Sequence, residues 1–160
     1  MPLSSWTSRQ WLLAIAAVCG AGVAVALTGQ YAFDMRPCPW CILQRVIFIV
    51  IALLSLAAAA LPALARRLAA GLVVVLALLG SSAALYQHFV AAKSASCNLT
   101  LADKIITALR LDVLLPSMFQ VTGSCADDAV TMLGVPFEFW SLGLFVVVTL
   151  LALRAVTRRS

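Results

Sequence analysis

The chain has 160 residues, of which 64% are hydrophobic and only 11% charged. Soluble domains average roughly 45–50% apolar and about 25% charged, and a water-soluble domain of this size has too little interior to hide the excess. That sets aside a soluble enzyme, a disordered tail and a small secreted disulfide scaffold. The formal net charge of +5 includes no basic cluster long enough for nucleic acid, so none is expected as a partner.

Three runs meet the need for about 20 apolar residues to cross the hydrocarbon core, and a fourth, short of charge-free length, has its apolar face extended by Ala155 and Val156. The first is uncharged from Gln10 to Phe33 and predicts a helix over 11–31. Arg9, the apolar stretch and Ala24-Val25-Ala26 also resemble a secretory signal with its cleavage site. The run is longer than the usual signal core of about 7–15 residues, which favours a retained helix. A short segment, 32–41, leads to a second helix over 42–64, and the third spans 69–90. A long segment, 91–137, follows. Within it the apolar and charged residues of Leu101–Leu115 are spaced for a short amphipathic helix on the membrane surface, with Pro116 as its stop. It either covers the loop or tethers it near lipid. The fourth helix is predicted over 138–156, its inner Arg154 snorkelling to the headgroups. Gly20, Gly22, Gly29, Gly71 and Gly80 suit close helix approach in lipid. The expected fold is an all-α integral membrane four-helix bundle, one domain over 1–160.

Charge sorts the connections. The N-terminus, the 65–68 turn and the C-terminus carry Arg9, Arg66, Arg67, Arg154, Arg158 and Arg159, with no carboxylate side chain. Segments 32–41 and 91–137, with Glu138 at the head of the fourth helix, hold all six acidic side chains. Arginine-rich short loops stay in the cytoplasm, so both termini are expected inside and both larger loops outside.

Five cysteines punctuate this plan. Cys19, in the first span, reads as a small buried hydrophobe. Cys38, Cys41, Cys97 and Cys125 all fall on the outer side, and an even number of thiols in an oxidising compartment reads as disulfides. Cys38-Pro39-Trp40-Cys41 is a C-x-x-C, a pair that usually serves thiol exchange. Its helix is expected to begin near Cys41, with the helix dipole favouring a thiolate there. Half a zinc site is the competing reading, but Cys97 and Cys125 are too far apart to complete one, so no metal is expected. A Cys97–Cys125 link could be a plain staple; beside a C-x-x-C on the same membrane face, a second redox pair is the better reading. Two dithiols in series make a relay, because disulfides move by thiolate attack.

Gln44 and Arg45 follow Cys41 by three and four residues, which on a helix puts both near its face. Arg45 either snorkels or donates to a polar ligand beside the thiol. His88, the only histidine, ends the third span at the same depth and is a candidate for the same pocket.

Together these features resemble the bacterial disulfide bond formation protein B (DsbB) family over nearly the whole chain. The residues that carry the likeness are Pro37-Cys38-x-x-Cys41-Ile42-x-x-Arg45, Gln87-His88, one cysteine on each side of the long loop, Gly123-Ser124-Cys125-Ala126 and Leu133-Gly134-x-Pro136-x-x-x-Trp140. The resemblance implies a multi-pass protein of the bacterial inner membrane that reoxidises a DsbA-like periplasmic thioredoxin-fold protein and passes the electrons to a membrane quinone, ubiquinone or menaquinone. It further implies that Cys97 meets the partner's thiolate and pairs with Cys125. Cys38 exchanges with Cys125, Cys41 faces the quinone, and Arg45 polarises a quinone oxygen, with Gln44 and His88 in the same pocket. The x-x pair, Pro39-Trp40, departs from familiar members and bears on redox potential. Two alternatives differ in class. A vitamin K epoxide reductase-like enzyme would carry its membrane-proximal C-x-x-C late, whereas here it comes first. A non-enzymatic four-span protein would use its disulfides only as braces.

Overall fold

The computed structural model describes residues 6–93, 100–124 and 131–158. Four helices are long and apolar enough to cross a membrane: α1 (Ser8–Ala32), α2 (Pro39–Ala59), α3 (Ala63–Phe89) and, at the end of the chain, α7 (Phe137–Thr157). Between α3 and α7 lie α4 (Leu101–Ala108), α5 (Leu111–Leu114), α6 (Pro116–Phe119) and a two-stranded hairpin, β1 (Thr131–Met132) and β2 (Val135–Pro136). The protein is an all-α four-helix membrane bundle to which this hairpin is the one β addition among the described residues.

The boundaries differ from the expected ones where a cap or a proline decides them. Helix α1 starts earlier than predicted because Thr7 and Gln10 form a reciprocal capping box. Helix α2 starts at Pro39 rather than near Cys41, since proline's fixed φ and missing N–H suit the first helical position. The second turn lies at 60–62 and not at 65–68. Pro62 takes the N-cap position of α3, so Arg66 and Arg67 belong to its opening turns, with the Arg66 guanidinium bonded to the Leu61 carbonyl at 3.0 Å. The predicted surface helix over 101–115 is broken. Arg110 adopts a left-handed φ of 53°, which separates α4 from α5. Pro116 then opens α6 instead of ending the segment.

The buried face of α4 carries Ala102 and Ile106. Ile106 joins Ile42 and Phe119 in a small apolar cluster against α2, while Leu101, Leu109, Val113, Leu114 and Leu115 remain exposed. The main core runs along the bundle through Leu12, Ile15, Cys19, Ile51, Val73 and Val148. At its centre Phe48 of α2 stacks on Phe145 of α7, ring centroids 4.0 Å apart and nearly parallel.

Gly80 lets α3 approach that stack. A Cβ there would fall 2.3 Å from two atoms of the Phe145 ring, a contact that a ring locked in a stack cannot relieve. Gly80→Ala is expected to destabilise the bundle by about 1–3 kcal/mol through overpacking, read as a lower thermal midpoint in detergent. An unchanged midpoint would mean the stack yields.

Alternation of the four spans puts both chain ends and the 60–62 turn at one end of the bundle. The start of α2, the end of α3, α4–α6 and the hairpin lie at the other, and the cysteine pair sits there.

Candidate functional site

The first turn of α2 builds the centre of the site. Cys38 is the N-cap: its Sγ accepts the Cys41 N–H at 3.3 Å and lies 2.8 Å from Cys41 Sγ. The cap position, where helix-terminal N–H groups favour negative charge, therefore belongs to Cys38. Cys41, expected there, sits at the third helical position. Thr122 and Gly123 both donate their backbone N–H groups to the Pro37 carbonyl at 3.2 Å. The strand of chain that leads into Cys125 is thereby tied to the residue before Cys38. Cys97 and Cys125 themselves lie outside the described residues.

A cavity of about 440 Å³ opens between α1, α2 and α7 beside this pair. Its walls are largely apolar, built by Ala21, Gly22 and Ala26 of α1 with Phe48 and Leu144, and Leu144 packs so closely on Gly22 that a Cβ there would fall 2.4 Å from its Cδ2. Cys38, Cys41, Gln30, Gln44, Arg45, Gln87 and Glu138 bring polarity into it.

Arg45 is buried, 5% exposed, so its guanidinium is enclosed by protein. It donates through Nη1 to Gln30 Oε1 at 2.9 Å and to the Met118 carbonyl. Its Nε is buried without a partner. The Tyr31 hydroxyl donates to the Ser117 carbonyl, so α6 is clamped over the site from α1 and α2 together. Gln44 Nε2 donates to Gln87 Oε1 at 2.7 Å, and Gln87 Nε2 reaches Cys41 Sγ at 3.3 Å. His88 does not line the cavity; its Nδ1 meets Glu138 Oε1 at 2.7 Å, and Glu138 does line it. Cys19 is fully buried in the core. No group of three or more metal-ligating side chains occurs among the described residues.

The family model described as "Disulfide bond formation protein DsbB" matches residues 8–155. The chain belongs to the DsbB family. Curated relatives share this length. "Disulfide bond formation protein B 1" of Pseudomonas syringae pv. syringae is 33% identical, over 94% of this chain and 90% of its own. "Disulfide bond formation protein B" of Herminiimonas arsenicoxydans is 30% identical, over 95% and 97%, and that of Cupriavidus metallidurans 35%, over 95% and 94%. This DsbB-family chain is thus a multi-pass membrane oxidoreductase of disulfide bond formation.

The Leu133-Gly134-x-Pro136-x-x-x-Trp140 motif builds the hairpin and its anchor. Leu133 and Gly134 both have positive φ, 55° and 79°, the two-residue hairpin turn whose twist matches the flanking strands. Trp140 Nε1 donates to the Met132 carbonyl at 3.2 Å. The Leu-Gly turn and the tryptophan together seat the hairpin over the start of α7, and Met132 lines the cavity.

Gln30, Gln87 and Glu138 are site residues that sequence reasoning missed. For Gln87 the signal was available: Gly80, Ala84 and Gln87 recur at the i, i+4, i+7 spacing of one helix face, and all three are buried. Its effect is measurable. A hydrogen bond to a charged group is worth about 1.5–3 kcal/mol, so Gln87→Leu is expected to slow alkylation of Cys41 by a membrane-permeant maleimide by roughly 10–100-fold. Gln44→Leu, which frees the Gln87 amide to turn, should give part of that loss. Equal rates in all three proteins would show that the amide does not support the thiolate.

Proposed function

We propose that this DsbB-family protein takes electrons from a DsbA-like periplasmic thioredoxin-fold dithiol protein and delivers them to a membrane quinone. It does so through Cys97–Cys125 and then Cys38–Cys41, in the bacterial inner membrane. The arginine-rich bundle end with both termini faces the cytoplasm in this reading, and the cysteine end faces the periplasm.

The observation that carries the reading is that Cys41 and the enclosed Arg45, with a buried Nε lacking a partner, face one largely apolar cavity. A flat, neutral ring with two carbonyl oxygens fits such a place: apolar walls for the ring, and a fixed cationic donor for one oxygen. Arg45 and Gln44 would hold the oxygen end, Phe48 and Leu144 the ring. A quinone there supplies the capacity to accept two electrons and two protons.

The sulfur steps follow from thiolate exchange. The partner's thiolate attacks Cys97, forming a mixed disulfide and releasing Cys125. The partner's second thiolate then closes its own disulfide and frees Cys97. Cys125 attacks Cys38, breaking Cys38–Cys41 and releasing Cys41 as a thiolate at the cavity wall. Cys97 resolves the Cys38–Cys125 bond and regenerates the outer disulfide. The bonds from Thr122 and Gly123 to Pro37 support the third step, since they hold the chain ahead of Cys125 close to Cys38.

The test is purified protein in nanodiscs, a reduced thioredoxin-fold dithiol protein and either a benzoquinone or a naphthoquinone, followed by quinone absorbance. One quinone reduced per partner disulfide formed is the expected result. Partner oxidation with no quinone consumed, or none at all, would overturn the reading.

A further inference from the structure

Glu138 is the single carboxylate lining the cavity among the described residues. It is 9% exposed and bonded to the Nδ1 of His88, whose side chain is 31% exposed. The imidazole is held in orientation by Phe139, ring centroids 4.6 Å apart, and by the edge of Phe89 at 5.0 Å. A buried acid that looks into a cavity and is wired to a part-exposed imidazole has the form of a proton conductor.

The reaction needs one, on the reading of the site proposed above. Disulfide exchange moves electron pairs on thiolates, and protons do not travel with them. Cys41 leaves the exchange as a thiolate, and so does Cys38 when Cys97 attacks Cys125, so neither sulfur brings a proton. Closing the Cys38–Cys41 bond removes two electrons from the sulfurs. Reducing a quinone to the neutral hydroquinone takes up those two electrons and two protons. The balance is therefore short of both protons, a supply that must come from outside the sulfurs.

The other polar groups of the cavity cannot provide it. Arg36 and Arg45 stay protonated at any working pH, and Gln30, Gln44 and Gln87 do not ionise. Cys41 is itself the electron donor. From α1 no titratable side chain lines the cavity.

We propose that His88 and Glu138 are the proton route from water into the cavity. His88 takes a proton from water on its outer ring nitrogen and passes the one on Nδ1 to the Glu138 carboxylate. Glu138 releases it to the reduced acceptor, or exchanges it with Cys41. Run backwards, the same path equilibrates the Cys41 thiol with solvent when no acceptor is bound.

That last property gives a test without quinone. In protein bearing Cys41 as its one cysteine, the S–H to S–D exchange after dilution into heavy water is followed by infrared absorption. Glu138→Gln keeps the shape and a bond to His88; His88→Phe fills the slot between Phe89 and Phe139. Both are expected to slow exchange by about 100-fold, the low end for a lost acid–base group. Formate should restore it in Glu138→Ala. With the full cysteine set, single-turnover quinone reduction should fall similarly in both variants and show a larger solvent isotope effect, while exchange of Cys97 with the partner dithiol stays unchanged. Wild-type S–H exchange rates in Glu138→Gln would overturn the proposal. Slow exchange in Glu138→Gln alone would remove His88 from the route and overturn it in that part. A wild-type protein that fails to reduce quinone would refute the quinone reading and leave the exchange result standing on its own.

Discussion

Arg45→Ala is expected to slow single-turnover reduction of quinone by about 100- to 1,000-fold, the cost of removing one fixed donor of about 2.7–4 kcal/mol from a developing oxyanion. Arg45 is buried and anchored by Gln30 and the Met118 carbonyl, so it is aimed before any acceptor arrives. Its unpartnered Nε is a donor still to be satisfied. Negative charge builds on quinone oxygens during reduction, so a cation beside one of them helps the transition state more than the neutral ground state. Lysine keeps the charge but loses the planar fork, so Arg45→Lys should be intermediate and Arg45→Gln as slow as alanine. Arg45 also secures α6 through Met118, which makes the thermal midpoint a needed companion. Equal midpoints for the lysine and glutamine variants with unequal rates would isolate the charge. Unchanged rate and quinone affinity in Arg45→Ala would leave Arg45 as a clamp on α6 only.

Cys41→Ser and Cys97→Ala are expected to fail in opposite halves of the reaction. Cys41→Ser should abolish quinone reduction, because serine at neutral pH is neither a thiolate nor a partner for a disulfide with Cys38. It should still form a mixed disulfide between Cys97 and the partner protein. Cys97→Ala should lose turnover with the protein partner altogether. Its Cys38–Cys41 pair, reduced by a small dithiol, should still be oxidised by quinone at the normal rate. The reason is the proposed division of labour: Cys97 and Cys125 belong to the long segment between α3 and α7, whereas Cys38 and Cys41 begin a membrane helix and face the cavity. Normal turnover in Cys97→Ala would refute the order of the relay.

Much of the fold was legible because lipid imposes a simple rule: a run of about 20 apolar residues between charges is a span. Local chemistry decided the errors. Pro39 and Pro62 move two helix starts toward the N-terminus, and the Thr7–Gln10 box extends α1. The break at Arg110 carried no glycine or proline to announce it. Leu133 in a positive-φ turn is likewise a residue that turn preferences do not favour. In the site, Gln44 and Arg45 were readable from their spacing to Cys41. His88 was readable as a polar group at that depth but not as the partner of Glu138, since a contact between α3 and the first turn of α7 depends on how the helices pack. Gln30 reaches Arg45 for the same long-range reason.

The walls of the cavity come from the two extremes of the chain, Ala21 and Gly22 on α1 and Ser141 and Leu144 on α7. During synthesis α1 and α2 enter the membrane early as neighbours, joined by a short turn, while α7 follows the whole segment after α3. Until that last span docks, the side occupied by Phe145 and Leu144 is open to lipid, and Phe48 has no ring to stack on. The thiol pair of a half-made chain is therefore present without its binding chamber. On the proposed quinone reading, a nascent or C-terminally truncated chain would have nowhere to discharge its electrons, and their export to the lipid phase would begin only when the bundle is complete.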